Sequence, residues 1–184
     1  MEFTTENKAT AIKKMVSASL LLAVGIVLPS FTGPQLGSIV LPMHIPALLA
    51  GLVLGWKYGA MIGFIMPLFR SVIFGMPPMF PVAVAMAFEL SAYALVIGLL
   101  YGLLKKHSLI GLMSCLVASM VVGRIVWGIA QFAMLVGLGM GPGVFTIQMW
   151  FTSVVITSIP GIVMHLMVIP ILTGGLIRAG VMSK

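Results

Sequence analysis

The fold is decided by residues 41–90, which read LPMHIPALLAGLVLGWKYGAMIGFIMPLFRSVIFGMPPMFPVAVAMAFEL. This stretch contains two apolar runs, a glycine-bounded turn that carries Lys57, and a proline-rich turn that carries no charge. Arg70 is the only arginine before residue 100, and Glu89 is the only acidic residue after residue 6. A charge inside apolar sequence is costly in a membrane and usually marks a site or a pathway. The stretch therefore predicts a membrane protein with a binding site near these two charges.

The composition of the chain excludes a soluble domain. Of its 184 residues, 61% are hydrophobic and 7% are charged, whereas an ordinary soluble domain has roughly 25% charged residues. The formal net charge is +7, but the basic residues stand at the ends of apolar runs and form no patch. This distribution is typical of membrane topology and not of a nucleic-acid-binding surface. We expect an all-α integral membrane protein.

Apolar runs of roughly 20 residues predict transmembrane helices. We expect a single membrane domain over residues 1–184, with a cytoplasmic tail at residues 1–10 followed by six transmembrane helices. The predicted helices cover about residues 11–31, 41–56, 58–74, 82–104, 109–138 and 145–177. Turn residues separate them, and the prolines of GMPPMFP end the third helix because proline cannot continue the hydrogen-bond ladder.

The basic residues predict the orientation of the chain. If both termini are cytoplasmic, the cytoplasmic segments contain eight of the ten lysines and arginines, and the outer loops contain none. The other two, Arg70 and Arg124, lie inside predicted helices. Because positive residues accumulate on the cytoplasmic side of membrane proteins, this split favours cytoplasmic termini.

The polar and aromatic residues of the predicted helices converge on the outer half of the membrane. Glu89 lies seven residues into the fourth helix, which is roughly 10 Å from the outer surface. Two intramembrane arginines against one glutamate leave a positive charge that an anionic or hydrogen-bond-accepting ligand would balance. We predict a substrate-binding pocket that comprises His44, Arg70, Met79, Glu89, Tyr93, Arg124, Trp127, Gln131 and Trp150.

Purely structural roles for these residues stay open. Glu89 could neutralise one arginine while the other meets backbone carbonyls. His44 could contact a ligand or cap a loop, and Met76 with Met79 could line a lid. His165 lies at least eighteen residues into the sixth predicted helix, so we expect a packed histidine in the cytoplasmic half.

The sequence lacks the motifs of common enzymes. It contains no GxxxxGK[ST] phosphate loop, no HExxH, no GxSxG and no cysteine cluster. We therefore expect no catalytic residue, no bound cofactor and no metal in this chain, and an uptake function would need partners. On the first helix, the small residues Ala18, Ser19 and Ala23 predict a face that another helix can approach closely.

From Lys14 onward the chain resembles the substrate-binding S component of an energy-coupling factor (ECF) vitamin transporter. The resemblance is carried by PMHIPALLAGLVLGWKYGAMIGF, PLFRSVIFGMPPMFPVAVAMAFELSAYALVIGLLYG, GRIVWG and FTSVVITSIPGIVMHLMVIP. It implies six helices in the plasma membrane and a vitamin bound at the outer face under loops one, three and five.

The resemblance also implies partners. The loaded protein would topple in the membrane, driven by a transmembrane scaffold subunit and two ATPase subunits that use ATP. In that family an AxxxA-type face on helix one meets the scaffold, and the corresponding positions here are Ser19 and Ala23.

The arginine excess favours a carboxylate-bearing vitamin, with pantothenate ranked before nicotinate and lipoate. Neutral ligands such as pyridoxine stay open, because Glu89, Tyr93 and Gln131 could serve a hydroxylated ring. Two other functions are a stand-alone oligomeric channel or facilitator for a small solute, and a small membrane enzyme that uses His44 or His165. The enzyme is disfavoured because the sequence offers no partner acid, metal set or nucleophile.

Overall fold

The computed structural model describes residues 2–104, 108–137, 139, 152 and 159–181. Within these ranges the chain forms helices joined by short connections, and no described residue lies in a strand. A π-helical turn, Met79–Ala83, leads into the fourth helix. In chain order the helices are α1 (Glu2–Val40), α2 (His44–Leu54), α3 (Trp56–Phe74), α4 (Val84–Leu103), α5 (Leu109–Gly137) and α6 (Ile159–Arg178). The predicted all-α class is confirmed.

Five segments of the described chain are long and apolar enough to cross a membrane. They are Ala11–Gly33, Trp56–Phe74, Met79–Leu103, Leu109–Gly137 and Ile159–Arg178. The remaining helix, α2, has only 11 residues. Its length is about 16 Å, whereas the hydrocarbon core of a membrane is about 30 Å thick. α2 therefore does not cross the membrane by itself.

The first helix is longer than the predicted range of 11–31. α1 continues to Val40, through PSFTGPQLGS, and departs from helical geometry at Gly33, where φ is 67° and ψ is 171°. Glycine adopts positive φ without a side-chain clash, so this one residue absorbs the break and the helix resumes. The expected loop between the first two helices is therefore a helical segment that bends at Gly33.

The second helix begins three residues later than predicted because of Leu41 and Pro42. Leu41 has a φ of 52°, in the left-handed region that is strained for a branched side chain. The residue before a proline is also disfavoured in the α-region. The strained peptide leaves the Leu41 carbonyl beside the start of α2, where it accepts a hydrogen bond from the His44 backbone N–H at 3.0 Å.

The short α2 is held between α3 and α4 by backbone-to-backbone packing at glycines. A Cβ atom at Gly51 of α2 would lie 2.3 Å from the Ala94 carbonyl oxygen of α4. A Cβ atom at Gly59 of α3 would lie 2.6 Å from the Cα atom of Gly51. Small residues allow such approach between membrane helices, and nine residues of α2 are consequently buried.

We expect Gly51→Ala to lower the unfolding temperature of the purified protein in detergent. The added methyl group meets backbone atoms that cannot rotate away, and such overpacking costs about 1–3 kcal/mol. The matched control is Gly102→Ala near the end of α4, where a Cβ atom would meet nothing within 4 Å. Equal unfolding temperatures for the two variants would show that the α2–α4 contact is looser than the structure has it.

Candidate functional site

A cavity of about 540 Å³ lies at the end of the helical bundle where α2 begins. Its wall includes Ser30 and Gly33 of α1, the segment Leu41–His44, and Met76 and Pro77 of the α3–α4 connection. This volume falls within the roughly 300–1,000 Å³ of small-molecule sites. The predicted site residues that line the cavity are His44, Arg70, Glu89, Arg124 and Trp127.

Glu89 is the centre of the polar cluster in this wall. One of its oxygens, Oε1, accepts a hydrogen bond from the Tyr93 hydroxyl at 3.0 Å and lies 3.0 Å from Nη1 of Arg124. Nε2 of His44 lies 3.4 Å from the same oxygen. Glu89 is 1% exposed, and burying a carboxylate is tolerable only where such partners replace water. Glu89 thus neutralises Arg124 and connects α2, α4 and α5.

Arg124 has donors left over after it contacts Glu89. Its side chain is 12% exposed, and its Nε and Nη2 atoms are buried without a hydrogen-bond partner among the described residues. In the planar guanidinium group, Nε–H and one Nη2–H point in parallel along one edge. That edge matches the two oxygens of a carboxylate. Arg124, which lines the cavity, therefore has an edge that is free among the described residues and suits bidentate binding of a carboxylate.

Arg70 links α3 to α1. Its Nη1 donates to the carbonyl oxygen of Ile26 and to Oγ of Ser30, the latter at 3.1 Å, and its guanidinium lies 5.0 Å from the centre of the Phe74 ring. These partners carry no negative charge. Glu89 is paired with Arg124. None of the contacts of Arg70 given above therefore balances its positive charge with a carboxylate.

The other predicted site residues lie behind or beside the cavity. Tyr93 is fully buried behind Glu89. Met79 is 41% exposed and does not line the cavity, whereas Met76 from the same connection does. Gln131 is partly buried on α5, outside the cavity wall, and its Oε1 has no partner in the described part of the chain. Trp150 lies outside the described residues.

His165 belongs to the neighbourhood of the site, contrary to the expected position in the cytoplasmic half. Its ring centre lies 5.7 Å from that of His44, and its Nε2 lies 3.3 Å from the Leu41 carbonyl oxygen. In the described part of the chain, α6 covers Ile159–Arg178, and His165 lies on it beside His44 and Leu41.

The small residues of α1 do not share one face. Ser19 and Ala23 are exposed, and the Ser19 hydroxyl donates to the Met15 carbonyl oxygen of its own helix at 3.0 Å. Ala18 is partly buried and packs against the hydrophobic core. Ala18 therefore faces the bundle, and the exposed small-residue face consists of Ser19 and Ala23.

The apolar helices and the cavity define a multi-pass helical membrane protein with a cavity of small-molecule size. The family model of the ECF transporter substrate-specific component matches residues 13–173 of the chain. The chain therefore belongs to this family, which confirms the resemblance found in the sequence. No curated protein and no solved structure matches the chain significantly.

We expect Glu89→Ala to destabilise the protein strongly and Glu89→Ala combined with Arg124→Met to restore much of the loss. The single variant leaves a buried arginine without its carboxylate, which costs about 3–5 kcal/mol, whereas an apolar replacement of the pair is often neutral. The measurement is unfolding of the single and double variants in detergent. Additive losses in the double variant would show that the two side chains do not stabilise each other.

Proposed function

We propose that this chain is the high-affinity binding subunit for uptake of a small, water-soluble, carboxylate-bearing vitamin, with pantothenate ranked first. The observation that carries the proposal is the Nε and Nη2 edge of Arg124, a cavity-lining residue, because no described residue accepts a hydrogen bond from that edge. Membership in the family of ECF substrate-specific components supports the transport role.

A carboxylate suits this edge for energetic reasons. Buried donors without partners cost about 1–3 kcal/mol each, and more when the group is charged. A ligand carboxylate would accept hydrogen bonds from both donors at once. It would also balance the positive charge that remains when the two arginines, Arg70 and Arg124, are counted against Glu89. The start of α2 lines the same cavity, and the positive end of its helix dipole favours an anion there.

The mixed polarity of the cavity wall supports pantothenate over nicotinate and lipoate. Pantothenate has a branched apolar part for the predominantly apolar wall and polar groups for the side chains around Glu89. Pyridoxine has no carboxylate for Arg124 and is therefore ranked below the acids.

The proposed setting is the plasma membrane, with both termini in the cytoplasm. The absence of lysine and arginine from the predicted outer loops supports this orientation. In this proposal the chain itself is not an enzyme and binds no cofactor. A transmembrane scaffold subunit and two ATPase subunits, which use ATP, drive the loaded protein to topple and release the vitamin inside.

We expect Arg124→Lys to weaken pantothenate binding more than tenfold, which corresponds to about 1.4 kcal/mol or more. Lysine keeps the charge but lacks the two parallel donors of the guanidinium. The measurement is isothermal titration of the purified protein in detergent. The matched control is Arg178→Lys in the last turn of α6, which is exposed and does not line the cavity.

Either of two results would contradict this prediction. Unchanged pantothenate affinity in the folded Arg124→Lys protein would remove Arg124 from the site. Absence of pantothenate binding by the wild-type protein, together with binding of nicotinate or lipoate, would keep the carboxylate and replace the ranked vitamin.

We expect Ser19→Leu to abolish uptake in cells that contain the ATPase module while ligand binding stays unchanged. A leucine would hold a partner helix away from the exposed small-residue face. Ser114→Leu on α5 is the matched control, because Ser114 is likewise exposed and donates to a carbonyl one turn earlier, that of Ile110, at 2.9 Å. If the Ser19→Leu variant retained as much uptake as the Ser114→Leu control, the docking role of this face would be wrong.

A further inference from the structure

Two buried histidines stand next to the Glu89 cluster with one ring nitrogen each unused. His44 is 1% exposed and His165 is 0% exposed. Nδ1 of each ring is buried without a hydrogen-bond partner among the described residues. Buried polar atoms are nearly always hydrogen-bonded, so these two nitrogens require an explanation.

The partners of the other ring nitrogens fix the tautomers. Nε2 of His165 lies against the Leu41 carbonyl oxygen, and Nε2 of His44 lies against the Glu89 carboxylate. Both partners can only accept, so each Nε2 carries the hydrogen. In the neutral ring, Nδ1 is then a lone-pair acceptor, and no described residue donates to it.

Only one of the two rings lines the cavity. His44 is part of its wall and His165 is not. His44 and Arg124 contact the same Glu89 oxygen, at 3.4 and 3.0 Å. Among the described residues, the unpartnered Nδ1 of His44 and the unpartnered Nε and Nη2 of Arg124 therefore belong to two cavity-lining residues that contact the same carboxylate oxygen.

We propose that the ligand donates a hydrogen bond from a hydroxyl or amide N–H group to Nδ1 of His44. This inference rests on the proposed function and narrows its substrate class. The site then selects a molecule that combines a carboxylate for Arg124 with a hydrogen-bond donor for His44. A site built to bond a donor discriminates strongly against analogues that lack it, because its own polar atom stays unpaired.

Water-soluble vitamins and one analogue separate these two requirements. Pantothenate and biotin carry both a carboxylate and hydroxyl or N–H donors. Nicotinate and oxidised lipoate carry the carboxylate without another donor. Pyridoxine and pantothenol carry hydroxyl donors without a carboxylate. The first experiment is isothermal titration of the full-length protein in detergent with these six compounds.

We expect the tightest binding from pantothenate or biotin, at least tenfold tighter than from the other four compounds. Tightest binding of nicotinate or lipoate would overturn the role of His44 and leave the carboxylate proposal standing. Tightest binding of pyridoxine or pantothenol would overturn the carboxylate proposal. Binding of none of the six by folded protein would overturn both.

A second measurement tests the histidine directly. Nitrogen NMR of the protein labelled with ¹⁵N-histidine distinguishes a bare Nδ1 from a protonated one and responds when a lone pair accepts a hydrogen bond. We expect a bare Nδ1 on His44 in the free protein and a shift of its signal with saturating pantothenate or biotin. His165 is the internal reference, since its Nδ1 signal should move less. A protonated Nδ1 on free His44, or no shift on binding, would overturn the inference.

Discussion

The arrangement of the bundle depends on one buried carboxylate. Glu89 stands in an apolar helix, and its Oε1 is within hydrogen-bonding distance of His44, Tyr93 and Arg124. In low-dielectric surroundings the carboxylate cannot lose these partners without a large cost. It therefore fixes α2 and α5 against α4 at one depth. The cavity lies where this fixed cluster ends, so the same interaction that stabilises the bundle sets the chemistry of its wall.

The short α2 makes this arrangement possible. The first residue of a helix that crosses the whole membrane lies at the membrane surface. The first residue of the 11-residue α2 lies inside the protein. Backbone contacts at Gly51 pack α2 against α4, and Gly59 of α3 packs against Gly51. His44, the first residue of α2, consequently lies buried beside Glu89. The left-handed Leu41 completes the junction, because its carbonyl oxygen is within hydrogen-bonding distance of both the His44 N–H and the His165 ring.

Much of the site could be predicted from the sequence because a charged side chain in an apolar run is costly in lipid and usually faces the interior of the bundle. Arg70, Glu89 and Arg124 were found in this way, and all line the cavity. The misplacements have a different origin. Gly33 lets a helix continue through a segment whose composition indicates a loop, and His165 lies beside His44 because of how α6 packs at the start of α2. Both are properties of backbone geometry, which the pattern of apolar residues does not determine.

α1 connects the cavity with the outer surface of the bundle. Ser30 and Gly33 belong to the cavity wall, whereas Ser19 and Ala23 on the same helix are exposed. Arg70 ties this helix to α3 through the Ile26 carbonyl and the Ser30 hydroxyl. The break at Gly33 lies beyond that tie, so the residues from Ser19 to Ser30 belong to one continuous helical segment. Any movement of this segment therefore displaces the cavity wall and the exposed small-residue face together.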